Sequence, residues 1–468
     1  MNERERRRTL ILLTGVMILF LGLIIYLTYF MIFQSETYRE STQNKRNQYT
    51  ANNIIRGPFY DRDNNLLAQT YKDENNHQIR EYLFPKEYSH IIGYNYKSLG
   101  RTGLEDTMNK YLTDNSIKDA GDLKDEILSN ERMGDSVYLT TDTRVQTDVS
   151  HLMEGYKGAV VALNPKTGEI YSLISMPQYD PNTVGTNWEK VSTSKDAELF
   201  NRALNGKYPP GSIMKIITTS AILENGVEQS YNHTGKAKVS GYEFKDFGRS
   251  ELGKVDLSKA FSLSLNTYFV TKVQDVGLSN FEALAKKFYF DNNIPFDLPV
   301  TTSTLNFGAG TDRVALSASA IGQGKVLSTP LHMALMTSAI ANDGAMMKPY
   351  VVNKIVDRKG ETVYTSEPKV LANPITSEIA SEVTDLMIKT TKSGTARNAS
   401  LKNIQVASKT GTAENSTGEN HSWYVGFAPA DDPKVVVAVI VEQGGLGGET
   451  ATPIGRDVIL SVLKHIEE

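Results

Sequence analysis

A run of 25 residues without a charged side chain, residues 9–33, constrains this chain more than any other feature. At the helical rise of about 1.5 Å per residue, the run is long enough to cross a bilayer. Four arginines precede it, at positions 4, 6, 7 and 8. Because positive residues near a membrane span stay on the cytoplasmic side, the sequence predicts a cytoplasmic tail over residues 1–8, a transmembrane helix over residues 9–33 and an extracytoplasmic remainder. We therefore expect a single-pass protein of the cell membrane.

A cleavable signal peptide is the alternative interpretation of this run. The apolar core of a signal peptide usually spans only about 7 to 15 residues and ends at a small-residue cleavage site. Residues 34–37 contain no Ala-x-Ala pattern, which favours a retained anchor. The polar residues 34–50 that follow are typical of a juxtamembrane stalk.

Composition narrows the classes of function. The net charge of −4 at pH 7 argues against nucleic acid as a partner. The chain has no cysteine, which excludes disulfides, thiolate metal sites and a cysteine nucleophile. Its seven histidines form neither a His-x-His nor a His-Glu-x-x-His pair, so we expect no metal site and no cofactor. A serine-histidine triad assembled from separate stretches stays open on spacing alone.

The order of the secondary-structure patterns predicts the fold class. Strand patterns at residues 158–163 and 169–174 are followed by helical patterns to about residue 342, including residues 257–270 and 329–341. Strand patterns return at residues 348–363, 405–413, 422–428 and 434–441, and a helical pattern closes the chain at residues 453–466. We predict an α+β domain over residues 158–468, with an antiparallel sheet assembled from both ends. Residues 34–157 are predicted to form the stalk and a small pedestal module.

The strongest candidate for chemistry lies where Pro209, Pro210 and Gly211 run directly into a helical pattern. Ser212 then begins a helix, and Lys215 follows one turn later on the same face. A serine hydroxyl needs a neighbouring base to become a good nucleophile, and a desolvated lysine beside a second cation can act as that base in its neutral form. The helix N-terminus favours any oxyanion that develops there.

Two short motifs follow this serine and lysine. Ser264-Leu265-Asn266 begins 52 residues after Ser212, within a helical region, and Lys409-Thr410-Gly411-Thr412 begins 145 residues later on a predicted strand. Each motif alone is weak, because the chain contains a second Ser-x-Asn at Ser230 and a second Lys-Thr-Gly at Lys166. Their order, spacing and placement together indicate one site.

This triplet resembles that of the penicillin-binding proteins, and the surrounding stretches resemble the class B transpeptidases that cross-link peptidoglycan, in their short form without C-terminal PASTA repeats. The resemblance covers nearly the whole chain. The stretches that carry it are Arg56-Gly57 with Asp61-Arg62, Gly103-Leu104-Glu105, Asn201-Arg202-Ala203, Tyr208-Pro209-Pro210-Gly211-Ser212, and Ile321-Gly322-Gln323-Gly324 before Thr329-Pro330. The resemblance implies a transpeptidase domain of the penicillin-binding-protein and β-lactamase type.

The resemblance also implies a role for each motif residue. Ser212 attacks the carbonyl of the penultimate D-alanine of a stem peptide, and Lys215 takes its proton. Ser264, linked to Lys215 and Lys409, passes the proton to the departing D-alanine, while Asn266 holds the peptide amide and Lys215. Lys409 keeps positive potential in the cleft, and its charge disfavours a charge on Lys215.

On the substrate side, Thr410 and Thr412 are implied to bind the carboxylate of the stem peptide or of a β-lactam. Backbone N–H groups of Ser212 and Thr412 are implied to form the oxyanion hole. Gly411 lacks a side chain, which lets a peptide lie against the strand edge as an added strand.

The motifs leave two competing functions open. A D,D-carboxypeptidase or β-lactamase-type hydrolase would use the same acylation but needs an activated water, for which the sequence shows no clear general base. A non-catalytic β-lactam sensor or scaffold would need an output domain that eight cytoplasmic residues cannot supply, or would tolerate the loss of Ser212 or Lys409. The resemblance further implies a membrane partner, a multi-pass glycosyltransferase of the shape, elongation, division and sporulation (SEDS) family.

Overall fold

The computed structural model describes residues 3–34, 54–114, 132–246, 248, 250–415 and 418–466. Helix α1 (Glu3–Tyr29) and one π-helical turn (Phe30–Gln34) cover the predicted membrane span. Within Arg6–Tyr29, an 18-residue window reaches a mean hydropathy of 2.8, so this helix fits a single-pass membrane anchor. The helix begins at Glu3 rather than at residue 9, because arginine and glutamate are good helix formers and their charge does not end a helix. The predicted stalk falls almost entirely outside the described residues.

The N-terminal module follows from residue 54 and is built of short elements. Its strands are β1 (Ile54–Ile55), β2 (Phe59–Tyr60), β3 (Leu66–Lys72), β4 (Gln78–Tyr82), β5 (Asn95–Tyr96), β6 (Gly100–Arg101), β7 (Arg132–Met133) and β8 (Ser136–Leu139). Its helices are α2 (Ser89–Ile92), α3 (Gly103–Thr107), α4 (Asn109–Leu112) and α5 (Thr143–Leu152). Asp142 caps α5 by accepting from the N–H groups of Arg144 and Val145.

The large domain contains the remaining elements. Its strands are β9 (Gly158–Leu163), β10 (Ile170–Met176), β11 (Tyr231–His233), β12 (Lys236–Val239), β13 (Tyr242–Lys245), β14 (Gly253–Val255), β15 (Met346–Met347), β16 (Val352–Val356), β17 (Thr362–Thr365), β18 (Val370–Ala372), β19 (Ala407–Ala413), β20 (His421–Ala428) and β21 (Val435–Val441). Its helices are α6 (Trp188–Ser192), α7 (Arg202–Asn205), α8 (Lys215–Glu224), α9 (Leu257–Ser262), α10 (Asn266–Val276), α11 (Leu278–Lys287), α12 (Arg313–Ala320), α13 (Pro330–Ala341), α14 (Ser377–Ser393) and α15 (Ala451–Ile466).

An antiparallel sheet with the strand order β10-β9-β21-β20-β19 forms the centre of the large domain. It joins the first two strands of the domain to the last three, as predicted, and the α+β fold class is confirmed. Every residue of β9, β10 and β21 is buried, because helices cover both faces of the sheet. Helix α13 packs on one face, and α15 and α5 pack on the other. Strand β19 lies at the end of the order, so one of its edges is open to a further strand.

A second sheet, in the described part of the chain, has the order β17-β16-β8-β2-β3-β4. Strands β16 and β17 come from the predicted large domain, whereas the other strands come from the N-terminal module. Val352 and Ile355 of β16 pair with Leu139 and Val137 of β8. The sequence predicted strands at residues 348–363 but not their partners. The second sheet therefore includes chain from both sides of residue 157, the predicted boundary of the large domain.

The helical pattern predicted at residues 257–270 is interrupted in the structure. Helix α9 ends at Ser262 and helix α10 begins at Asn266, with Ser264 between them at a φ of 59°. This left-handed conformation is unusual for a residue other than glycine. The prediction of one continuous helix was therefore wrong, and the break places Ser264 in a tight connection at the edge of the helical region.

Candidate active site

Ser212 lies on a single 3₁₀ turn (Gly211–Met214) that continues directly into α8. Gly211 adopts a φ of +54°, and its N–H donates to the carbonyl of Gly322 at 2.9 Å. A Cβ atom on Gly211 would lie 2.8 Å from the carbonyl oxygen of Thr412. The glycine therefore permits both the left-handed backbone and the close approach of the turn to strand β19. The predicted helix start at Ser212 is confirmed as a 3₁₀ turn.

The side chain of Lys215 is fully buried and points at the Ser-x-Asn connection. Its Nζ donates to the carbonyl oxygen of Ser264 at 2.7 Å, to the Ser264 Oγ at 3.2 Å and to the Asn266 Oδ1 at 2.7 Å. The predicted link of Lys215 to both residues is thus present. The hydroxyl of Ser212 has no hydrogen-bond partner among the residues that the structure describes. Lys215 is therefore occupied by the Ser-x-Asn connection, and the Ser212 hydroxyl is left to meet a substrate.

The hydroxyl of Ser264 joins the two lysines. The Lys409 Nζ donates to the Ser264 Oγ at 2.9 Å and to the carbonyl of Thr410 at 3.0 Å. Because both amines donate to the same oxygen, the proton of the Ser264 hydroxyl is directed elsewhere. Residues held in the left-handed region cluster at functional sites, and the φ of Ser264 sets its side chain between the two amines.

Burial controls the proton affinity of both lysines. Desolvation, with the charge of Lys409 as a smaller cause, lowers the pKa of Lys215 well below its usual value, against a raising effect of Asp246. Desolvation alone lowers the pKa of Lys409 to about 7. The two side chains form no salt bridge among the described residues, and each lies over an aromatic ring, Lys215 over Phe269 at 5.4 Å and Lys409 over Phe261 at 5.6 Å. Desolvation therefore favours loss of one proton from Lys215, after which its amine can donate to only two of the three oxygens that it contacts and has a lone pair to accept a proton.

Strand β19 carries the Lys-Thr-Gly motif along the open edge of the central sheet. The Thr410 hydroxyl shares a hydrogen bond of 2.6 Å with that of Thr395, and the Thr412 hydroxyl accepts from the N–H of Gly447 at 3.2 Å. A Cβ on Gly411 would lie 3.0 Å from the Cγ1 of Ile213 and 3.1 Å from a backbone oxygen of the Ser212 turn. Packing within the protein thus favours glycine at this position, because a Cβ would require its neighbours to shift, and the open edge that the sequence suggested favours it too.

Buried aromatic side chains hold the segment before Ser212 in place. The Nε1 of Trp423 donates to the carbonyl of Pro209 at 3.0 Å, and the Tyr208 hydroxyl donates to the Glu442 Oε1 at 2.7 Å. The ring of Tyr208 also packs edge-on against the ring of Trp423. These contacts fix the Ser212 turn against strand β20 and thereby limit the positions that the nucleophile can adopt.

The second matches to the motifs have other roles. Lys166 lies on the turn between β9 and β10, where its Nζ pairs with Asp432 on the surface. Ser230 precedes β11, and its N–H donates to the Glu228 carboxylate. Neither residue contacts Ser212, Lys215 or Ser264 in the structure described here.

Sequence patterns did not identify two further residues that touch this site. Asp246 accepts from the N–H of Thr267 at 3.2 Å and from the Nε2 of the buried His233 at 2.9 Å, and so holds the first turn of α10 beside Asn266. Thr395 contacts Thr410, as described above. Both are short polar residues outside any motif, and only the folded chain brings them to the site. In the described part of the chain, no group of three or more histidine, aspartate or glutamate side chains could hold a metal ion.

Comparison with known proteins identifies the class to which this fold and site belong. Residues 158–460 match the model of the penicillin binding protein transpeptidase domain, and residues 56–137 match that of the penicillin binding protein A dimerisation domain. The chain belongs to the penicillin-binding protein transpeptidase family. The family predicted from the motifs is confirmed.

Relatives place the chain within that family. It is 32% identical to the peptidoglycan D,D-transpeptidase PbpA of Mycolicibacterium smegmatis over 99% of this chain and 100% of the relative. It is 31% identical to PbpA of Mycobacterium tuberculosis over 96% of this chain and 97% of the relative. The fold also matches a solved structure of penicillin-binding protein A from M. tuberculosis, a ceftriaxone acyl-enzyme complex, with a TM-score of 0.83 and 31% sequence identity. The match covers 88% of this chain and 99% of the solved chain.

Proposed function

We propose that this chain is a peptidoglycan D,D-transpeptidase that cross-links stem peptides through an acyl-Ser212 intermediate and that β-lactams acylate the same serine. The observation that carries the proposal is the convergence of Lys215 and Lys409 on the Ser264 hydroxyl, beside the Ser212 turn and the open edge of β19. The names and acyl-enzyme complexes of the relatives support it.

In the acylation step, the Ser212 Oγ attacks the carbonyl carbon of the penultimate D-alanine, and its proton passes to the Nζ of Lys215. A proton acceptor acts best when its pKa is near the working pH, and burial moves the pKa of Lys215 downwards in that direction. The C–O bond to Ser212 forms, the peptide C–N bond breaks, and the departing D-alanine amine takes the proton of the Ser264 hydroxyl. The proton held by Lys215 then restores the Ser264 hydroxyl across the 3.2 Å contact.

Substrate binding rests on strand β19 and on the Ser-x-Asn connection. A stem peptide added along the open edge of β19 would place its terminal carboxylate near the hydroxyls of Thr410 and Thr412. A bound carboxylate favours the charged form of Lys409, which then supplies positive potential beside it. The backbone N–H groups of Ser212 and Thr412 donate to the oxyanion. Asn266 orients Lys215 through its Oδ1, and its Nδ2, which donates to the carbonyl of Lys245 at 3.3 Å, faces the substrate amide.

The acceptor decides between a transferase and a hydrolase. In a transferase, an amine of a neighbouring peptidoglycan strand attacks the acyl-enzyme and Ser212 leaves. In a carboxypeptidase or a β-lactamase, an activated water does so. The described carboxylate that acts most directly on Lys215 is that of Asp246, and it is held by Thr267 and His233. A carboxylate so engaged is poorly placed to activate water, which favours the amine as acceptor.

The proposal extends to the membrane. Helix α1 would anchor the chain with its arginine-rich end in the cytoplasm, and the N-terminal module, residues 34–157, would act as a stalk and pedestal for the catalytic domain, residues 158–468. A glycosyltransferase of the SEDS family is proposed as the membrane partner that supplies new glycan strands. A membrane-anchored transpeptidase would then act where the strands emerge.

Product analysis tests the transferase directly. The full chain in detergent is incubated with a thioester analogue of a stem peptide, with and without a D-amino acid as acceptor. We expect the acyl group on the acceptor amine to exceed the free acid. Free acid alone, with acylation of Ser212 intact, would support the hydrolase instead.

A further inference from the structure

Thr395 occupies a junction of three segments that carry the proposed active site. It follows helix α14 by two residues, and its N–H donates to the carbonyl of Ser262 at 3.2 Å, two residues before Ser264. A Cβ on Gly394 would lie 2.3 Å from that same carbonyl oxygen. The neighbouring glycine therefore allows the chain to pass directly against the end of α9 and brings Thr395 beside the Ser-x-Asn connection.

The side chain of Thr395 reaches the carboxylate-binding strand. Its Oγ1 lies 2.6 Å from the Oγ1 of Thr410, a distance at which one hydroxyl must donate to the other. Gly448 lies on the far side of Thr395, where an added Cβ on the glycine would lie 2.7 Å from the carbonyl oxygen of Thr395. The Nδ2 of Asn398 donates to the carbonyl of Gly448 at 2.9 Å, and the N–H of Gly447 donates to the Thr412 hydroxyl at 3.2 Å. Thr395 is thus held at a fixed position relative to both threonines of the motif.

A hydroxyl has one proton to donate and can accept two hydrogen bonds. If the Thr410 hydroxyl donates its proton to Thr395, it has no proton left to donate to a carboxylate. If Thr395 donates instead, the Thr410 oxygen is satisfied as an acceptor and its proton is free for the carboxylate. A chain of two such bonds ending on an anion is polarised in one direction, which strengthens both bonds.

We propose that Thr395 is a positioning residue for the substrate carboxylate: its hydroxyl donates to the Thr410 oxygen and thereby directs the Thr410 proton to the carboxylate of a stem peptide or a β-lactam. This inference rests on the proposed function. It assigns to a residue outside the three motifs the task of setting the direction of the hydrogen-bond chain at the carboxylate end of the site.

The chain offers a matched control. Thr391, on the last turn of α14, pairs its Oγ1 with the Oγ of Ser408 at 2.6 Å, across the same junction of α14 with β19. Both hydroxyls are buried, and Ser408 precedes Lys409. The two hydroxyl pairs have the same oxygen–oxygen distance of 2.6 Å, but the Thr391 pair does not involve a residue proposed to bind the carboxylate.

The test compares benzylpenicillin with its methyl ester, which lacks the carboxylate charge, in the full-length protein. The second-order acylation rate constant is measured for wild type and for Thr395→Val, Thr395→Ser and Thr391→Val. Thr395→Val should slow acylation by benzylpenicillin about tenfold and change acylation by the ester less than twofold. Thr395→Ser should restore the wild-type ratio, and Thr391→Val should leave that ratio unchanged. Thr395→Ala replaces the valine variant if the latter does not fold.

Equal slowing with both substrates would show that Thr395 only supports the fold and would overturn the inference. An unchanged ratio in Thr395→Val, with rates like those of wild type, would overturn it too. Absence of acylation in the wild type would instead contradict the proposed function itself, so the two failures are distinguishable.

Discussion

Two regions of this molecule bury cations in opposite ways. In the N-terminal module, Arg56 and Arg80 both pair with the fully buried carboxylate of Glu105, the latter with an Nε to Oε1 distance of 2.7 Å, and the Tyr82 hydroxyl donates to the same oxygen at 3.1 Å. In the proposed active site, Lys215 and Lys409 are as deeply buried, but among the described residues they donate only to hydroxyl and carbonyl oxygens.

The difference shows in the proton affinities. Burial would raise the pKa of Glu105, but the two arginines hold it below its usual value. Burial lowers the pKa of Lys215 and of Lys409, and in the part of the chain that the structure describes no carboxylate in direct contact restores either pKa. A paired buried charge stabilises an arrangement, whereas an unpaired one is driven towards its neutral form. The first region is therefore suited to a structural role and the second to proton transfer.

Removal of the cleft lysine should have the largest effect. Lys215→Met is expected to lower the acylation rate constant for a penicillin by about 10²- to 10⁴-fold, the usual contribution of a general base. The thermal unfolding temperature should change little, because the variant replaces a desolvated amine, which no salt bridge among the described residues stabilises, by an apolar chain of similar size. Lys286→Met, which changes a surface lysine paired with Glu282, is the control and should change neither quantity. A large loss of stability in Lys215→Met would remove the contrast between the regions.

The opposite result is expected in the N-terminal module. Glu105→Gln leaves two buried arginines without their carboxylate and should lower the free energy of unfolding by about 3–5 kcal/mol. Acylation by a penicillin, measured per folded molecule, should change less than twofold. Glu81→Gln, on the same strand as Tyr82 and bonded only to Gln69 among the described contacts, is the control. An unchanged melting temperature in Glu105→Gln would show that the pairing does not stabilise the module.

Gly411→Ala should perturb the cleft by packing alone. The added Cβ would press on Ile213, on Trp423 and on the Ser212 turn at 3.0–3.1 Å. We expect a loss of about 1–3 kcal/mol in unfolding free energy together with slower acylation, because the same atoms position the nucleophile. Gly310→Ala, where a Cβ meets nothing within 4 Å, is the matched control. Wild-type acylation in Gly411→Ala would show that the turn adjusts without consequence.

The smallest expected effect is a difference in pH dependence. The folded-state pKa of Lys409, about 7, lies below the ordinary lysine value of 10.5, so between these values the unfolded chain binds more protons than the folded chain. Stability should therefore rise with pH across this window, by up to about 1.4 kcal/mol per pH unit from this group. Chemical unfolding of wild type and Lys409→Met between pH 7 and 9 measures it, and the variant should show the weaker rise. Parallel curves would contradict the lowered pKa.

Glu105 should act in the same direction, but in a more acidic window. The pKa of Glu105 is lower in the folded chain than in the unfolded chain, so Glu105 stabilises the fold at pH values above its unfolded-state pKa. This stabilisation is lost as the pH falls through the folded-state pKa. Both regions are thus predicted to lose stability as the pH falls, Lys409 between its unfolded and folded pKa values and Glu105 only at more acidic pH.

The sequence predicted much of this cleft because the chemistry demands particular residue types in a fixed order. Breaker residues before Ser212 and the strand pattern around Lys409 located two of the elements. The connection at Ser264 was missed, because the apolar pattern continues through it and its left-handed backbone is fixed by the contacts with Lys215 and Lys409.

The sequence patterns also did not predict which distant strands pair with each other. Strand β16 was predicted from its alternation, but alternation does not say which strand it will pair with, and its register with β8 joins residues more than 200 positions apart. Asp246 and Thr395 carry no pattern at all, since their hydrogen bonds reach Thr267 and Thr410 only after the helices and the sheet have packed.

Covalent labelling tests the central claim most directly. Full-length wild type and Ser212→Ala are incubated with a fluorescent penicillin, and the adduct is located by peptide mapping with mass spectrometry. The account predicts one stable adduct, on the peptide that contains Ser212, and none in the variant. Equal labelling of the two proteins, or an adduct on another residue, would contradict the assignment of Ser212 as the nucleophile.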